Sequence, residues 1–465
     1  MPTGTKITDR QSAIEFLLGR INYERASKIP YRSSEFGLDR MRQLLAMLGD
    51  PHLRLPAIHV AGTKGKGSCS TMISAALTAC GKRVGLYISP HLEMLEERFN
   101  IDGQNCTADD LVELMQTVQP VVEKMESDGR RPTFFEVTTA LAFLYFSQQK
   151  VDLAVLEVGL GGRLDSTNVC QPIVTVITSI SFDHMRELGD TLPEIATEKA
   201  GTIKPGVPVV TGVTEPESLA AIERIALQHK APVLKMGVDF GYEYLGATLD
   251  GNGLSAEFNY WERAGGAIGS LENIQFGMAG QHQASNAAVA IQVMSQLRTL
   301  GQPVELAEIR KGLAQARCAA RIEVAKEQPL VILDSAHNLA SVRALVNVIQ
   351  EALPGREGIL VFAANRDKDV FSMVRELLPA FSKCVVTTFD NSPRAMSVEQ
   401  LVENVAAIQT ELAGRAAAVY TADNASAAWE KARQLASGDA FICVTGSFFL
   451  AAEIRAIVRE TLTPE

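Results

Sequence analysis

What the chain lacks narrows it first. Its seven cysteines stand singly along 465 residues, with no Cys-x-x-Cys pair, which speaks against a disulfide framework and for a reducing compartment, the cytoplasm. Positive charge is not in excess: 44 basic residues face 54 acidic ones, a formal net charge of -10. Such a balance argues against a general nucleic-acid or acidic-membrane binder, so an anionic ligand has to be captured locally. No apolar run approaches the roughly 20 residues that a membrane span requires, and the N-terminus has no basic stretch leading into an apolar one. Low-complexity tracts, charged tails and a Pro/Ser linker are missing too. The expectation is a soluble protein, acting as a monomer on small molecules, with no nucleic-acid or membrane partner.

What is present reads as α/β. A chain of 465 residues exceeds one ordinary core, so two domains are expected. The runs "LPAIHVAG", "RVGLYIS", "VDLAVLEVG", "IVTVITS" and "VPVVTG" are rich in Val and Ile and alternate with helical patterns, as buried parallel strands do. They predict a doubly wound, P-loop-type N-terminal domain over residues 1–316. "LDGNGLSAEFNY" alternates around a turn signal and predicts a small antiparallel excursion decorating that domain, before a helix near His282. A second series, "PLVILDSAHN", "GILVFAAN", "CVVTTFD", "AAVY" and "AFICVTGS", predicts a smaller Rossmann-like domain over 317–465.

The most informative stretch is "HVAGTKGKGSCST", His59 to Thr71. A strand runs into Gly62-Thr63-Lys64-Gly65-Lys66-Gly67-Ser68 and a helix follows, the context of a phosphate loop. Its glycines let successive N–H groups and the helix N-terminus face phosphate oxygens, and Lys66 supplies a point charge to the terminal phosphates. Ser68 or Thr63 could reach a magnesium ion. The loop departs from G-x-x-x-x-G-K-[ST] by the extra Gly67, and taken alone it leaves kinase, switch ATPase and ligase open. Glu157, Ser89 and His184 stand at the C-terminal ends of predicted strands, where α/β enzymes place ligands. Together they offer oxygen and nitrogen donors to magnesium, which takes few protein ligands beside phosphates and water.

The loop G-T-x-G-K-G-S resembles the ATP loop of the Mur ligase superfamily, specifically its folylpolyglutamate synthase and dihydrofolate synthase branch. Other motifs of that branch follow in family order: "YISPHL" from Tyr87, "PTFFEVTTALAF" from Pro132, "EVGLGGRLDSTN" from Glu157, "SFDHMRELGDT" from Ser181 and "EKAGTIKPG" from Glu198. "GQHQASNAAVA" from Gly280, "LDSAHN" from Leu333, "DKD" from Asp367, "SPRA" from Ser392 and "TGSFFL" from Thr445 continue the series. The resemblance runs from "FGLDRM" at Phe36 to the C-terminal helix.

The resemblance implies an ADP-forming carboxylate-amine ligase that adds L-glutamate to folate, to dihydropteroate or to both, with ATP as co-substrate and two magnesium ions. It implies metal ligation by Ser89, Glu157, His184 and Lys199, the lysine as its carbamate. Asn286 is implied near adenine, Arg321 as a charge clamp on phosphate, Asp334 near ribose, and His337 at phosphate or the transition state. Lys66, Lys199 and His337 are the catalytic candidates. Phe134 and Phe135, with "EFGLDRM" nearby, would offer a flat pterin an aromatic surface. Three positions depart from the family pattern: Ala319-Ala320-Arg321 replaces Pro-Gly-Arg, Leu339 replaces the proline after "AHN", and Lys64 replaces an asparagine. The rival readings are a cell-wall peptide ligase of the same superfamily and a nucleotide-dependent switch protein.

Overall fold

The structure, a computed structural model, describes residues 6–24, 37–250, 253–390, 392, 394–412 and 417–460. Phe36 and Glu35 of the "EFGLDRM" motif, the turn at 251–252 and Pro393 of "SPRA" lie outside the described residues. Two compact units emerge. One gathers Met1–Glu243, Asn259–Ile274 and Ser285–Gln315; the other gathers Tyr244–Phe258, Gln275–Ala284 and Ala316–Glu465.

The first unit is built on an eight-stranded sheet. Its strands are β1 (Ala57–Ala61), β2 (Val84–Tyr87), β3 (Phe99–Ile101), β4 (Gln104–Asn105), β5 (Leu153–Glu157), β6 (Pro172–Ile177), β7 (Val209–Thr211) and β8 (Val233–Lys235), in the spatial order β4-β3-β2-β5-β1-β6-β7-β8. β1, β2 and β5 are buried at every position, as continuous apolar runs in the middle of a parallel sheet must be. The five strands expected from the sequence are all there and run parallel. β3 and β4 add an antiparallel edge that was not foreseen.

β1 lies between β5 and β6, with Val60 opposite Glu157 and Ala61 opposite Ile177. Three strand ends therefore open at one edge of the sheet, carrying the glycine loop, Glu157, and residues 178–184. The chain crosses from β1 to β2 on one side and from β5 to β6 on the other, so this edge is a topological switch point, where open α/β sheets bind ligands.

The antiparallel excursion forms a three-stranded sheet in the order β11-β10-β9, from β9 (Phe240–Asp250), β10 (Gly253–Glu262) and β11 (Leu271–Phe276). Its residues divide between the two units. Tyr244 and Ala247 both donate to the Glu351 carboxylate, at 2.7 and 3.1 Å, within the second unit.

The second unit carries a six-stranded sheet of order β12-β13-β17-β14-β15-β16: β12 (Glu323–Glu327), β13 (Leu330–Leu333), β14 (Gly358–Phe362), β15 (Lys383–Val386), β16 (Ala418–Thr421) and β17 (Phe441–Thr445). All its pairings are parallel except β12 against β13. Among the described residues, no helix is long and apolar enough to cross a membrane.

Candidate active site

The glycine loop is shaped by backbone freedom. Gly62 has φ +146 and Gly65 has φ +83, conformations that an L side chain adopts only at a cost. Space is short as well: a Cβ on Gly62 would collide with the Thr178 hydroxyl, and one on Gly65 with the Asn286 amide. Gly65 caps the helix Lys66–Ala79 with no side-chain hydrogen bond. Elsewhere in this unit Thr107, Thr133 and Thr191 each cap a helix through a side-chain oxygen. The helix Lys66–Ala79 has no such cap, and a helix start of that kind, with its dipole, favours an anion.

Gly67 sits in the first turn of that helix, and its missing Cβ would be 3.5 Å from Glu157 Oε2. A Cβ there would fit in ordinary van der Waals contact; its absence leaves no side chain between the helix start and the carboxylate. Glu157 is 5 % exposed and accepts the Ser89 N–H at 3.1 Å, which ties the turn after β2 to the end of β5. Ser68 is buried at the helix start. The Thr63 hydroxyl is committed to the strand-end loop: it receives the Ser181 N–H at 3.1 Å and lies 3.3 Å from the Ser181 carbonyl. Of the two hydroxyls proposed to reach a magnesium ion, Thr63 is the one already engaged.

Three cations converge on the loop. Lys66 Nζ lies 3.4 Å from the Thr63 carbonyl. Lys64 pairs with Asp183 at 2.8 Å, and its carbonyl accepts from the Thr178 and Ser179 hydroxyls. Lys199, on the helix Leu192–Ala200, is only 4 % exposed and donates to the Gly62 carbonyl at 2.9 Å. Burial, aided by the charges of Lys66 and Lys64, pulls the Lys199 pKa down to about 7. Against the cost of its own burial, the Lys64 ammonium holds the Asp183 carboxylate below its ordinary range. His184 follows in the left-handed region at φ 49. Partial burial pulls its pKa down, with Lys199 and Lys66 acting the same way against Asp183 and Glu187.

Two carboxylates here are not marked out by the sequence motifs that contain them. Asp183 is one. Asp165 is the other: buried, it accepts the N–H groups of Gly159 and Leu160 at 3.0 Å each and that of Thr167 at 3.0 Å, folding the Gly-Leu-Gly-Gly loop after β5. Gly162 then packs on the Lys199 and Glu198 carbonyls, where a Cβ would stand 2.9 and 3.0 Å from them. A polar residue just before the short helix Ser166–Val169 was the available signal, since Asp in that place closes loops.

Phe134 is 2 % exposed, with the Arg98 guanidinium 5.1 Å from its ring centroid. Phe135 is half-buried, and its ring lies where a Cβ on Gly159 would be 2.6 Å away. Of the aromatic pair it is the one beside the loop after β5.

In the second unit, Asp334 follows β13, almost fully buried. Its carboxylate accepts the Ala336 N–H at 2.8 Å and the Ile322 N–H at 3.0 Å. Burial raises its pKa while the Arg321 charge opposes the rise. His337 Nδ1 lies 2.9 Å from the Ser335 carbonyl, and Asn338 caps the helix Leu339–Ala352. Arg321 sits between Ala320 at φ 50 and Ile322 at φ 52. Where the family pattern has glycine, this chain holds alanine in a left-handed conformation. Ala320→Gly is expected to raise stability, and with it the melting temperature, by up to about 1 kcal/mol of relieved strain less the extra freedom of the unfolded chain. A lower melting temperature would contradict the strain.

The comparisons with known proteins cover both units. The Mur ligase middle domain matches residues 60–294, and the Mur ligase glutamate ligase domain matches residues 320–448. A dihydrofolate synthase/folylpolyglutamate synthase of Bacillus subtilis is 38% identical over 373 residues, 79% of this chain and 84% of the relative. The chain belongs to the folylpolyglutamate synthase/dihydrofolate synthase family.

Solved members of that family share its architecture. The crystal structure of folylpolyglutamate synthase from Thermotoga maritima matches with a TM-score of 0.82 at 31% identity, covering 97% of each chain. The Mycobacterium tuberculosis folylpolyglutamate synthase complexed with ADP matches with a TM-score of 0.81 at 31% identity, over 97% of this chain and 99% of that one. The mixed α/β fold with parallel sheets is the family's fold.

Proposed function

We propose that this family member is an ATP-dependent, ADP-forming ligase that joins L-glutamate to the carboxylate of folate, of dihydropteroate or of both. The observation that carries the reading is the uncapped helix at Lys66, with no side chain at Gly67 between the helix start and the buried Glu157 carboxylate. An ADP complex of a relative with the same fold supports it.

A carboxylate is too poor an electrophile for an amine, so the γ-phosphoryl group of ATP first moves to a carboxylate oxygen. The α-amine of glutamate then attacks the acyl carbon, phosphate leaves with that oxygen, and the amide remains. The protein's work is positioning and charge neutralisation. The N–H groups at the start of the helix Lys66–Ala79 and the Lys66 ammonium take up charge on the transferring phosphoryl group. The Asn286 amide, packed on Gly65, is assigned to adenine, Arg321 to phosphate, and His337 to phosphate or the transition state. Asp334 is assigned to ribose through the lone pairs that its two backbone donors leave. Phe135 is assigned to the pterin.

Glu157 is a hard, buried carboxylate beside the start of the helix Lys66–Ala79, the kind of oxygen donor that magnesium takes. Ser89, Glu157, His184 and Lys199, the last as a carbamate, are the residues we assign to two ions. Bound magnesium would neutralise phosphate charge and help fix its orientation.

Carbamylation of Lys199 needs its neutral amine, which attacks CO2. With the amine near its midpoint at about pH 7, a large fraction is available where an ordinary lysine would be almost wholly protonated. Protein in carbon-13-labelled bicarbonate is expected to show a carbamate carbonyl by NMR about one unit above that pH and to lose it about one unit below. A signal unchanged in Lys199→Met would contradict the assignment.

The reading also keeps the enzyme in the cytoplasm with no nucleic-acid partner, on its net charge of -10 and its seven free cysteines. Its test is ADP release with ATP, magnesium and glutamate, comparing dihydropteroate with tetrahydrofolate and identifying products by mass. Turnover should require glutamate and one of the two pterin acids. ADP release that ignores glutamate would point to a nucleotide switch instead.

A further inference from the structure

The Arg321 loop is strained on both sides. Left-handed backbone costs an L residue about 1 kcal/mol or more, and a β-branched residue such as Ile322 is a poor occupant. Two such residues flanking one arginine persist only where the surroundings hold them. Asp334 holds Ile322 through its N–H at 3.0 Å, and the Ser335 N–H reaches the Ala320 carbonyl at 3.0 Å. The Ala320 N–H is held differently, by Glu323 Oε2 at 2.8 Å.

Glu323 is in turn gripped from far along the chain. Arg455, on the helix Phe448–Glu460, directs its Nε–H between both Glu323 oxygens, at 2.9 Å each, with its side chain only 9% exposed. A half-buried carboxylate in this place, without its arginine, would move toward water and release the Ala320 N–H.

We propose that Arg455 is a positioning residue for Arg321: by fixing Glu323 it holds Ala320 left-handed and so sets the direction in which the Arg321 guanidinium projects. The inference rests on the reading of Arg321 as a phosphate contact. The role assigned to Arg455 runs through Glu323.

A double-mutant cycle tests it, because residues that act through one another lose additivity. Arg321→Ala, Arg455→Met and the double variant are compared with the parent for KM of ATP, KM of glutamate, kcat and melting temperature. Arg455→Met is expected to raise the KM for ATP about fivefold, with the KM for glutamate unchanged. In the Arg321→Ala background the same substitution should leave the KM for ATP where it is, while lowering the melting temperature as much as it does alone. If Arg455→Met cannot be purified folded, Arg455→Lys keeps the charge without the fixed Nε–H; it should give a smaller rise, again silent beside Arg321→Ala. An Arg455 effect on ATP that is equally large in both backgrounds, or absent in the parent, overturns the positioning role. If Arg321→Ala alone leaves ATP kinetics intact, the phosphate reading of Arg321 fails first, and that outcome is distinct from additivity.

Discussion

A Lys66→Ala protein is expected to fold and melt like its parent and to form ADP about a thousandfold more slowly at saturating ATP. The fold should survive because Lys66 is half-buried and its ammonium makes a long contact, 3.4 Å, to the Thr63 carbonyl. Removing it also relieves repulsion with Lys199, whose pKa Lys66 helps to depress. Catalysis should suffer because the charge on the transferring phosphoryl group would lose its nearest fixed cation, and an exposed lysine elsewhere cannot replace one already in place. Lys66→Arg should recover little, since a planar fork does not reproduce a compact ammonium against a helix N-terminus. Steady-state ADP release and a melting curve on the same preparation check both halves. Full activity in Lys66→Ala would refute the phosphate-loop assignment.

Glu157→Gln is expected to cost about a hundredfold in turnover and to shift the magnesium requirement upward, with stability close to the parent's. Glutamine has the volume of glutamate and can still accept the Ser89 N–H that now reaches Oε2 at 3.1 Å, so the turn after β2 should stay in place. What it lacks is the negative charge beside the helix start. The comparison is calorimetric: parent and variant should bind ATP alone alike, whereas only the parent should gain affinity when magnesium is added. An unchanged magnesium dependence of both binding and turnover would remove Glu157 from the metal site.

Sequence legibility followed how local each signal is. β1, β2, β5, β6 and β7 stand out because strands buried on both faces must be apolar throughout, and glycine marks where several end. β3 and β4 have three and two residues, too few to show a period, and the charged edge strand β12, "EVAKE", resembles a surface loop in composition. The glycine loop is legible because its chemistry lies within seven residues. Asp183, Asp165 and Arg455 are not, since each gains meaning from a partner brought close by the fold: Lys64, the loop after β5, and Glu323. Phe134 and Phe135 differ for a simple geometric reason. Neighbours on a helix point about 100° apart, so one enters the core under Arg98 while the other lies beside Gly159, and composition does not say which.

Lys64 illustrates a departure whose effect only the fold reveals. The extra cation in the phosphate loop is paired with Asp183, so the loop does not carry two bare ammonium groups, and the Lys64 N–H is given to the Ser179 hydroxyl at 3.0 Å.

The proposed reaction activates a carboxylate by phosphorylating it. The most direct measurement uses pterin substrate whose reacting carboxylate carries heavy oxygen, with mass analysis of the phosphate released during glutamate ligation. One heavy oxygen is expected in each phosphate formed and none in ADP, because the acyl-phosphate bridge oxygen leaves with the phosphoryl group. Phosphate free of label alongside labelled amide product would contradict it.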